Sequence, residues 1–206
     1  MDASGLELRM LAHYMNDEDY TNEVINGDIH TANQRAANLE SRDKAKTFIY
    51  AFLYGAGDGK IGQVVGGTAK DGKRLKADFL KNTPALKKLR TRVTSLADSG
   101  SLIGLDGRVL HVRSSHAALN TLLQSAGAIV MKRAVVLLDH FSKEYKINYK
   151  LVGQIHDEVQ VEVAESQAQF FGDLAVNCVR RAGKDFKLNC PLDGDYKIGT
   201  TWRETH

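Results

Sequence analysis

Cysteine is nearly absent: Cys178 and Cys190 are the only two in 206 residues. Their spacing is not that of a zinc site, and two thiols cannot staple a small fold, so reduced, buried thiols are the default. Internal repeats and low-complexity tracts are also missing, which excludes solenoids and linker-like chains. No apolar run is expected to reach membrane-spanning length, and the first residues carry Asp2, Glu7 and Arg9 among the apolar positions, unlike a secretory leader. A soluble, cytoplasmic protein is expected. A strong excess of one charge is lacking too: 28 basic residues face 25 acidic ones, for a net charge of +3. That sum is too small to argue for a polyanionic partner. Its distribution says more, because Lys70, Lys73, Arg74, Lys76, Lys81, Lys87, Lys88, Arg90 and Arg92 are interrupted only by Asp71 and Asp78. Such a stretch suits phosphate.

What is present is enough apolar material, 43% of the chain, for one sizeable core or two modest lobes. Leu6, Met10 and Leu11 recur at helical spacing from Ser4 to about Met15, and Asn26-Gly27 marks a turn. A short helix follows Asp28, a plausible cap. The segment from Ser41 to Tyr54 holds neither Gly nor Pro, offers Ser41 as N-cap and stops at Gly55 and Gly57. Further helices are predicted over about 60–65, 72–81 and 84–97, the last with Pro84 in its first turn. Beyond Ser99, Val109 and His111 suggest a short hairpin or strand leading into a long apolar helix from about Ser115 to Tyr145. The β-branched run from Tyr149 to Val163, broken by His156-Asp157-Glu158, reads as a hairpin with acids at its tip. A helix over about 166–182 and a strand near Asp195 to Ile198 complete an α+β chain.

Helix geometry gives the Ser41–Tyr54 segment a chemical face. Positions four apart lie only about 40° from each other, so Arg42, Lys46 and Tyr50 form one row that Tyr54 extends. Ala45, Phe48, Ile49 and Phe52 fall on other sides and can face a core. A triphosphate needs cations spaced along it, and its base needs a flat surface. The row supplies both, although a solvated stripe with Tyr at a core edge fits the same pattern. Asp157 and Glu158 stand where two strands turn, and Asp2 stands just before the first helix, so distant carboxylates could meet across a sheet. Two charges about 4 Å apart repel by about 4 kcal/mol at an effective dielectric near 20, so such a meeting calls for cations, with magnesium the natural candidate. Alone, Asp157-Glu158 reads first as an acidic hairpin tip in water. A second polar row, His116, Asn120 and Gln124, lies four apart on the long helix; it suits a groove, or buried packing.

These motifs together resemble DNA polymerase family A, the bacterial DNA polymerase I type, and within it the podophage replicative branch. Asp2-Ala3-Ser4-Gly5-Leu6-Glu7-Leu8-Arg9 resembles the family's first palm motif. Arg42-Asp43-Lys44-Ala45-Lys46 through Tyr54-Gly55 resembles its fingers helix, and His156-Asp157-Glu158 its last motif; all three occur in order. The resemblance implies a start of the palm motif over 1–20, a mainly helical fingers subdomain over 21–98, and over 99–206 an incomplete antiparallel palm sheet with packed helices and the catalytic hairpin.

It further implies template-directed addition of deoxynucleotides to a primer 3′ end. Two Mg2+ ions would be held by Asp2, Asp157 and the Ala3 carbonyl, with Glu158 in support. Lys46 would act on the leaving phosphates, Arg42 and His30 would contact the outer phosphates, Tyr50 with Tyr54 would form the base and sugar face, and Glu7 would exclude a 2′-hydroxyl. Many relatives carry Phe at the position of Tyr50, so ready acceptance of dideoxynucleotides is expected here. Asn120, Gln124, His116 and His156 would feel minor-groove acceptors of primer-template DNA, with Arg113 on a backbone phosphate.

Relatives carry a thumb, more palm and often an exonuclease before the first motif. Here Asp2 follows Met1 directly, and Ser41 replaces a usual Arg. The expectation is therefore an Asp2 that is mobile unless tied down, and an N-terminal polymerase piece as partner. The alternatives are a non-catalytic DNA or nucleotide binding fragment and, last, a metal-dependent phosphohydrolase using Asp157 and Glu158.

Overall fold

The computed structural model describes residues 1–205. In chain order it runs β1 (Asp2–Ala3), α1 (Leu6–Met15), α2 (Glu18–Asn26), α3 (Ile29–Ala37), α4 (Arg42–Leu53), α5 (Asp58–Val64), α6 (Ala69–Asn82) and α7 (Pro84–Asp98). A 3-10 turn at Ser115–Ala117 leads into α8 (Ala118–Glu144), followed by β2 (Tyr149–Ile155), β3 (Glu158–Val163), α9 (Glu165–Asp185), β4 (Gly194–Asp195) and α10 (Trp202–Thr205). The chain divides into two compact units: Leu11–Gln124, and Met1–Met10 together with the chain from Ser125 onward.

The first unit is helical. The two caps read from sequence hold: the Ser41 hydroxyl accepts from the Lys44 N–H, and the Asp28 carboxylate accepts from the His30 and Thr31 N–H groups. Ala45, Phe48, Ile49, Phe52 and Leu53 of α4 are buried. Phe79 of α6 meets Phe48 edge-on at 5.1 Å and Phe52 at 5.5 Å, contacts worth about 0.5–1.5 kcal/mol each beyond area burial. Between α5 and α6 the backbones themselves touch. A Cβ on Gly72 would lie 2.0 Å from the Asp58 carbonyl oxygen, and one on Gly62 2.0 Å from that of Thr68. Helix α2 was not expected. It buries no residue, so it lacks the apolar period that announces a helix; Asp17 starts it by accepting from the Tyr20 N–H. The expected strand near Val109 is a single antiparallel bridge to Ile103.

The second unit is a four-stranded antiparallel sheet in the order β2-β3-β1-β4, with helices packed on it. Helix α9 presents Phe171, Ala175, Cys178, Val179 and Ala182 as one buried stripe at helical spacing. The two units together give the α+β class expected, a helical part and an antiparallel sheet. The last strand is shorter than expected, Gly194–Asp195 instead of reaching Ile198. The expectation about apolar runs is also corrected. Ser115–Glu144 is long and apolar enough to cross a membrane, but half of its apolar window is buried inside the protein, as in a core helix.

The main surprise is β1. Asp2 was expected to be mobile unless tied down, and its two-residue strand, at an inner position of the sheet, ties it down. Val159 N–H donates to the Met1 carbonyl at 2.8 Å, Ala3 N–H to the Asp157 carbonyl at 3.0 Å, and Ser4 N–H to the Asp193 carbonyl at 3.0 Å. Register pairs Asp2 with Glu158 on one side and with Asp195 on the other. Strand pairing on both sides tethers Asp2.

Candidate active site

In the sheet unit, the β2–β3 turn and β1 bring three acids together. His156 and Asp157 form the turn, with His156 in the left-handed region at φ 56°, so that Glu158 already begins β3. Pairing of β1 with β3 sets Asp2 beside Asp157 and Glu158. The consequence is electrostatic: partial burial, then the charges of Asp157 and Glu158, push the Asp2 carboxyl above its ordinary range. Asp195, across the other neighbour strand, adds to this and accepts a 3.0 Å hydrogen bond from the Ser4 hydroxyl. Sequence reasoning missed Asp195, whose only signal was an acid on a short terminal strand.

His156 is held between two carboxylates, its Nδ1 3.1 Å from Asp157 Oδ1 and its Nε2 3.6 Å from Glu7 Oε1. The Gln160 amide donates to Glu158 Oε1, orienting that carboxylate along its own strand. Glu7 sits in the first turn of α1 with a side chain only 13% exposed.

The negative charge gathered around Asp2 suits a cation. Among the described residues no three metal-ligating side chains form a cage. Two carboxylates with the Ala3 carbonyl nearby nonetheless suit a hard ion that keeps waters and shares substrate phosphates, which is how magnesium is commonly bound.

In the helical unit, α3 and α4 gather the second group. Arg42 and Lys46 are exposed, Tyr50 is half-buried and Tyr54 exposed, while the apolar residues of α4 turn inward. The Tyr50 and Tyr54 rings stack at 6.5 Å, and His30 on α3 approaches Tyr50 at 6.1 Å. Burial first, then the cations of Arg42 and Lys46, lower the His30 pKa against an opposing pull from Asp28. Arg42, Lys46 and Tyr50 share a side of α4 as their spacing suggested, and His30, which only the resemblance had grouped with them, lies beside Tyr50 and close enough to feel both cations. One feature has no signal in the sequence: Arg42 Nε donates to Asp28 Oδ2 at 2.6 Å, so Asp28 is more than the cap its position suggests.

Arg113 is exposed in the irregular stretch before α8. His116 is not on the long helix but in the 3-10 turn that precedes it, so its four-residue spacing to Asn120 does not by itself put the two on one face. Asn120 and Gln124, both half-buried, do share a face of α8. Gly55, at the end of α4, has φ +76°, and a Cβ there would lie 2.7 Å from the His116 carbonyl oxygen. Its lack of a side chain is what lets the end of α4 reach the 3-10 turn. The basic stretch lies on α6 and α7, which carry nine basic against three acidic residues, an excess larger than the whole chain's net +3. Lys76 is tied to Asp58 at 2.5 Å and Arg90 covers the Phe52 ring at 5.7 Å, while Lys70, Lys73, Lys81, Lys87, Lys88 and Arg92 are exposed.

The chain is 45% identical to the DNA-directed DNA polymerases of Enterobacteria phage T3 and of Escherichia phage T7, over 100% of this chain and 33% of each relative. It is 29% identical to DNA polymerase I of Aquifex aeolicus, over 98% of this chain and 38% of that protein. It thus spans about a third of the length of these relatives. The POL domain of Pol1 from M. smegmatis, solved in complex with DNA primer-template and dNTP, has the same fold, with a TM-score of 0.80 at 23% identity over 93% of this chain and 37% of that one. The family model for DNA polymerase family A matches residues 1–204, and the chain belongs to that family.

Proposed function

We propose that this chain is the C-terminal catalytic portion of a template-directed DNA polymerase, which adds deoxynucleotides to a primer 3′ end. The observation that carries the reading is the insertion of β1 between β3 and β4, which holds Asp2 beside Asp157 and Glu158. In the reaction, the primer 3′-oxygen bonds to the α-phosphorus of the dNTP as the bond to the bridging oxygen breaks, releasing pyrophosphate and a proton. Asp2, Asp157 and the Ala3 carbonyl would hold two magnesium ions, which supply Lewis-acid stabilisation when bound, and Glu158 supports Asp2 and Asp157. Lys46, Arg42 and His30 bind the triphosphate, Lys46 meeting the charge that develops on the leaving pyrophosphate. Tyr50 and Tyr54 offer the flat face for base and sugar, and Glu7 lies under the sugar to exclude a 2′-hydroxyl. Arg113, His116, Asn120, Gln124 and His156 contact primer-template DNA.

By the same reading, residues 21–98 form the fingers, and 1–20 with 99–206 belong to the palm. The relatives' further two thirds, with thumb, remaining palm and exonuclease, are supplied by an N-terminal polymerase piece, and the protein works where DNA is copied in the cytoplasm. Primer extension by this chain with and without the N-terminal part of a related phage polymerase tests the reading. Magnesium-dependent extension with the added part, lost in Asp157→Ala, is expected; no extension in either case counts against it. The second reading is a non-catalytic fragment that binds DNA or nucleotide. Such a fragment binds the nucleotide equally well with and without Asp157.

A further inference from the structure

Asp28 stands at a junction that neither its cap nor the triphosphate row explains alone. Its Oδ1 accepts from the His30 N–H at 3.1 Å and the Thr31 N–H at 3.3 Å, and its Oδ2 accepts from the Thr31 hydroxyl at 2.8 Å and from Arg42 Nε at 2.6 Å. One carboxylate therefore ties the start of α3, where His30 sits, to the start of α4, where Arg42 sits. We propose that Asp28 is a positioning residue for the nucleotide triphosphate, which grips the Arg42 guanidinium by its Nε edge and leaves both terminal nitrogens to the phosphate oxygens. The proposal rests on the reading of Arg42 and His30 as triphosphate contacts.

The geometry of arginine makes this division of labour workable. The guanidinium carries five N–H donors in a flat fork, one on Nε and four on the terminal nitrogens. Among the described residues, the hydrogen bond that Arg42 makes is through Nε. The fork that matches a phosphate is thus turned away from the anchor. An exposed arginine otherwise loses rotamer entropy when a ligand fixes it, and prior anchoring removes part of that loss from the binding step.

A carboxylate beside a polyanion also repels it, and the surroundings of Asp28 reduce that cost. Its charge is met by two backbone N–H groups at a helix start, by the Thr31 hydroxyl and by Arg42 itself. These contacts hold the Asp28 carboxyl well below the usual carboxylate range, with the Arg42 hydrogen bond the largest influence. Asp28 therefore stays ionised, and the anchor persists, throughout the range in which a polymerase works.

The competing account is that Asp28 only caps α3 and that its exposed pair with Arg42 is worth little. The two separate in a double-mutant cycle, because asparagine caps a helix about as well as aspartate but cannot hold arginine as an ion pair. The full chain is titrated with a fluorescent dATP analogue in magnesium, as unsubstituted protein, Asp28→Asn, Arg42→Ala, and both. Asp28→Asn is expected to weaken binding about fivefold to tenfold, to keep the melting temperature, and to have no effect in the Arg42→Ala background. Equal binding by Asp28→Asn, or an equal loss in both backgrounds, overturns the proposal. Arg42→Lys tests the same anchor with the cap untouched: it keeps the charge, lacks the Nε edge, and is expected to make binding insensitive to Asp28→Asn. Sensitivity that persists in Arg42→Lys counts against the proposal. Absence of binding by the unsubstituted chain overturns instead the reading of the row as a triphosphate grip, on which this one stands.

Discussion

Gly55→Ala is expected to be costly for two separable reasons. Gly55 adopts φ +76°, a left-handed conformation that costs an L-residue about 1–2 kcal/mol. The added Cβ would also stand 2.7 Å from the His116 carbonyl oxygen, a backbone atom that cannot rotate away. Relief requires the 3-10 turn and the end of α4 to move apart, an overpacking cost of about 1–3 kcal/mol. Gly100 supplies the control, since it has φ +69° with nothing within 4 Å, so Gly100→Ala carries the strain alone. In a chain of this size 1 kcal/mol lowers Tm by about 2–4 °C. At about 3 °C per kcal/mol, thermal unfolding followed by circular dichroism should therefore show a fall of about 6–15 °C for Gly55→Ala and about 3–6 °C for Gly100→Ala. Nucleotide titration adds a functional reading, because separation at Gly55 displaces Tyr54 and Tyr50; affinity should drop in Gly55→Ala and not in Gly100→Ala. Equal melting temperatures for the two variants would refute the argument that the close approach carries energy.

Three further outcomes are expected. A carboxyl whose pKa is raised in the folded state binds its proton more tightly there than when unfolded, so stability is lost as pH rises through the folded value; Asp2, raised by burial and by Asp157 and Glu158, is such a group. Asp2→Asn should thus melt a few degrees higher than the unsubstituted chain at neutral pH without divalent ions, while added magnesium should stabilise the unsubstituted chain and not the variant. Tyr50→Phe should raise discrimination against dideoxynucleotides by about tenfold or more, measured as the ratio of ddNTP to dNTP incorporation with the N-terminal polymerase piece present; an unchanged ratio removes the hydroxyl from the argument. Replacing Lys73, Lys81 and Lys88 by Gln should flatten the dependence of log K for duplex DNA on log salt by about 0.9 for each phosphate no longer neutralised, with dNTP affinity unchanged, and an unaltered slope would make α6 and α7 a merely solvated face.

Local signals carried much of this fold. Ser41 and Asp28 marked two helix starts because a short polar side chain that accepts a backbone N–H acts within a few residues. The Tyr149–Val163 run announced its hairpin through β-branched residues around a polar break. Features that depend on distant pairing were silent. Nothing local to Asp2 says that β3 and β4 will enclose it, and Asp195 becomes its neighbour only through that pairing. The Arg42–Asp28 contact links residues 14 apart across two helices, which no periodicity reveals. His116 looked helical because it stands four before Asn120, yet a 3-10 turn follows a different period. The closeness of α5 and α6 was visible only as scattered glycines, since Gly62 and Gly72 declare their purpose once another backbone lies against them.

The position of β1 has a consequence for the order in which this molecule can assemble. Met1 and Val159 exchange hydrogen bonds across 158 residues of chain, and Ser4 reaches Asp193, so the sheet cannot close until the chain has been made as far as β4. The helical unit, by contrast, is one continuous stretch whose partners are near in sequence. During synthesis the helical unit can therefore fold early, from local contacts, while the strand bearing Asp2 waits unpaired for its neighbours to leave the ribosome. Pairing of β1 is in this sense the last event of folding, and a chain cut short before β3 would have a folded helical unit and no pairing to hold Asp2.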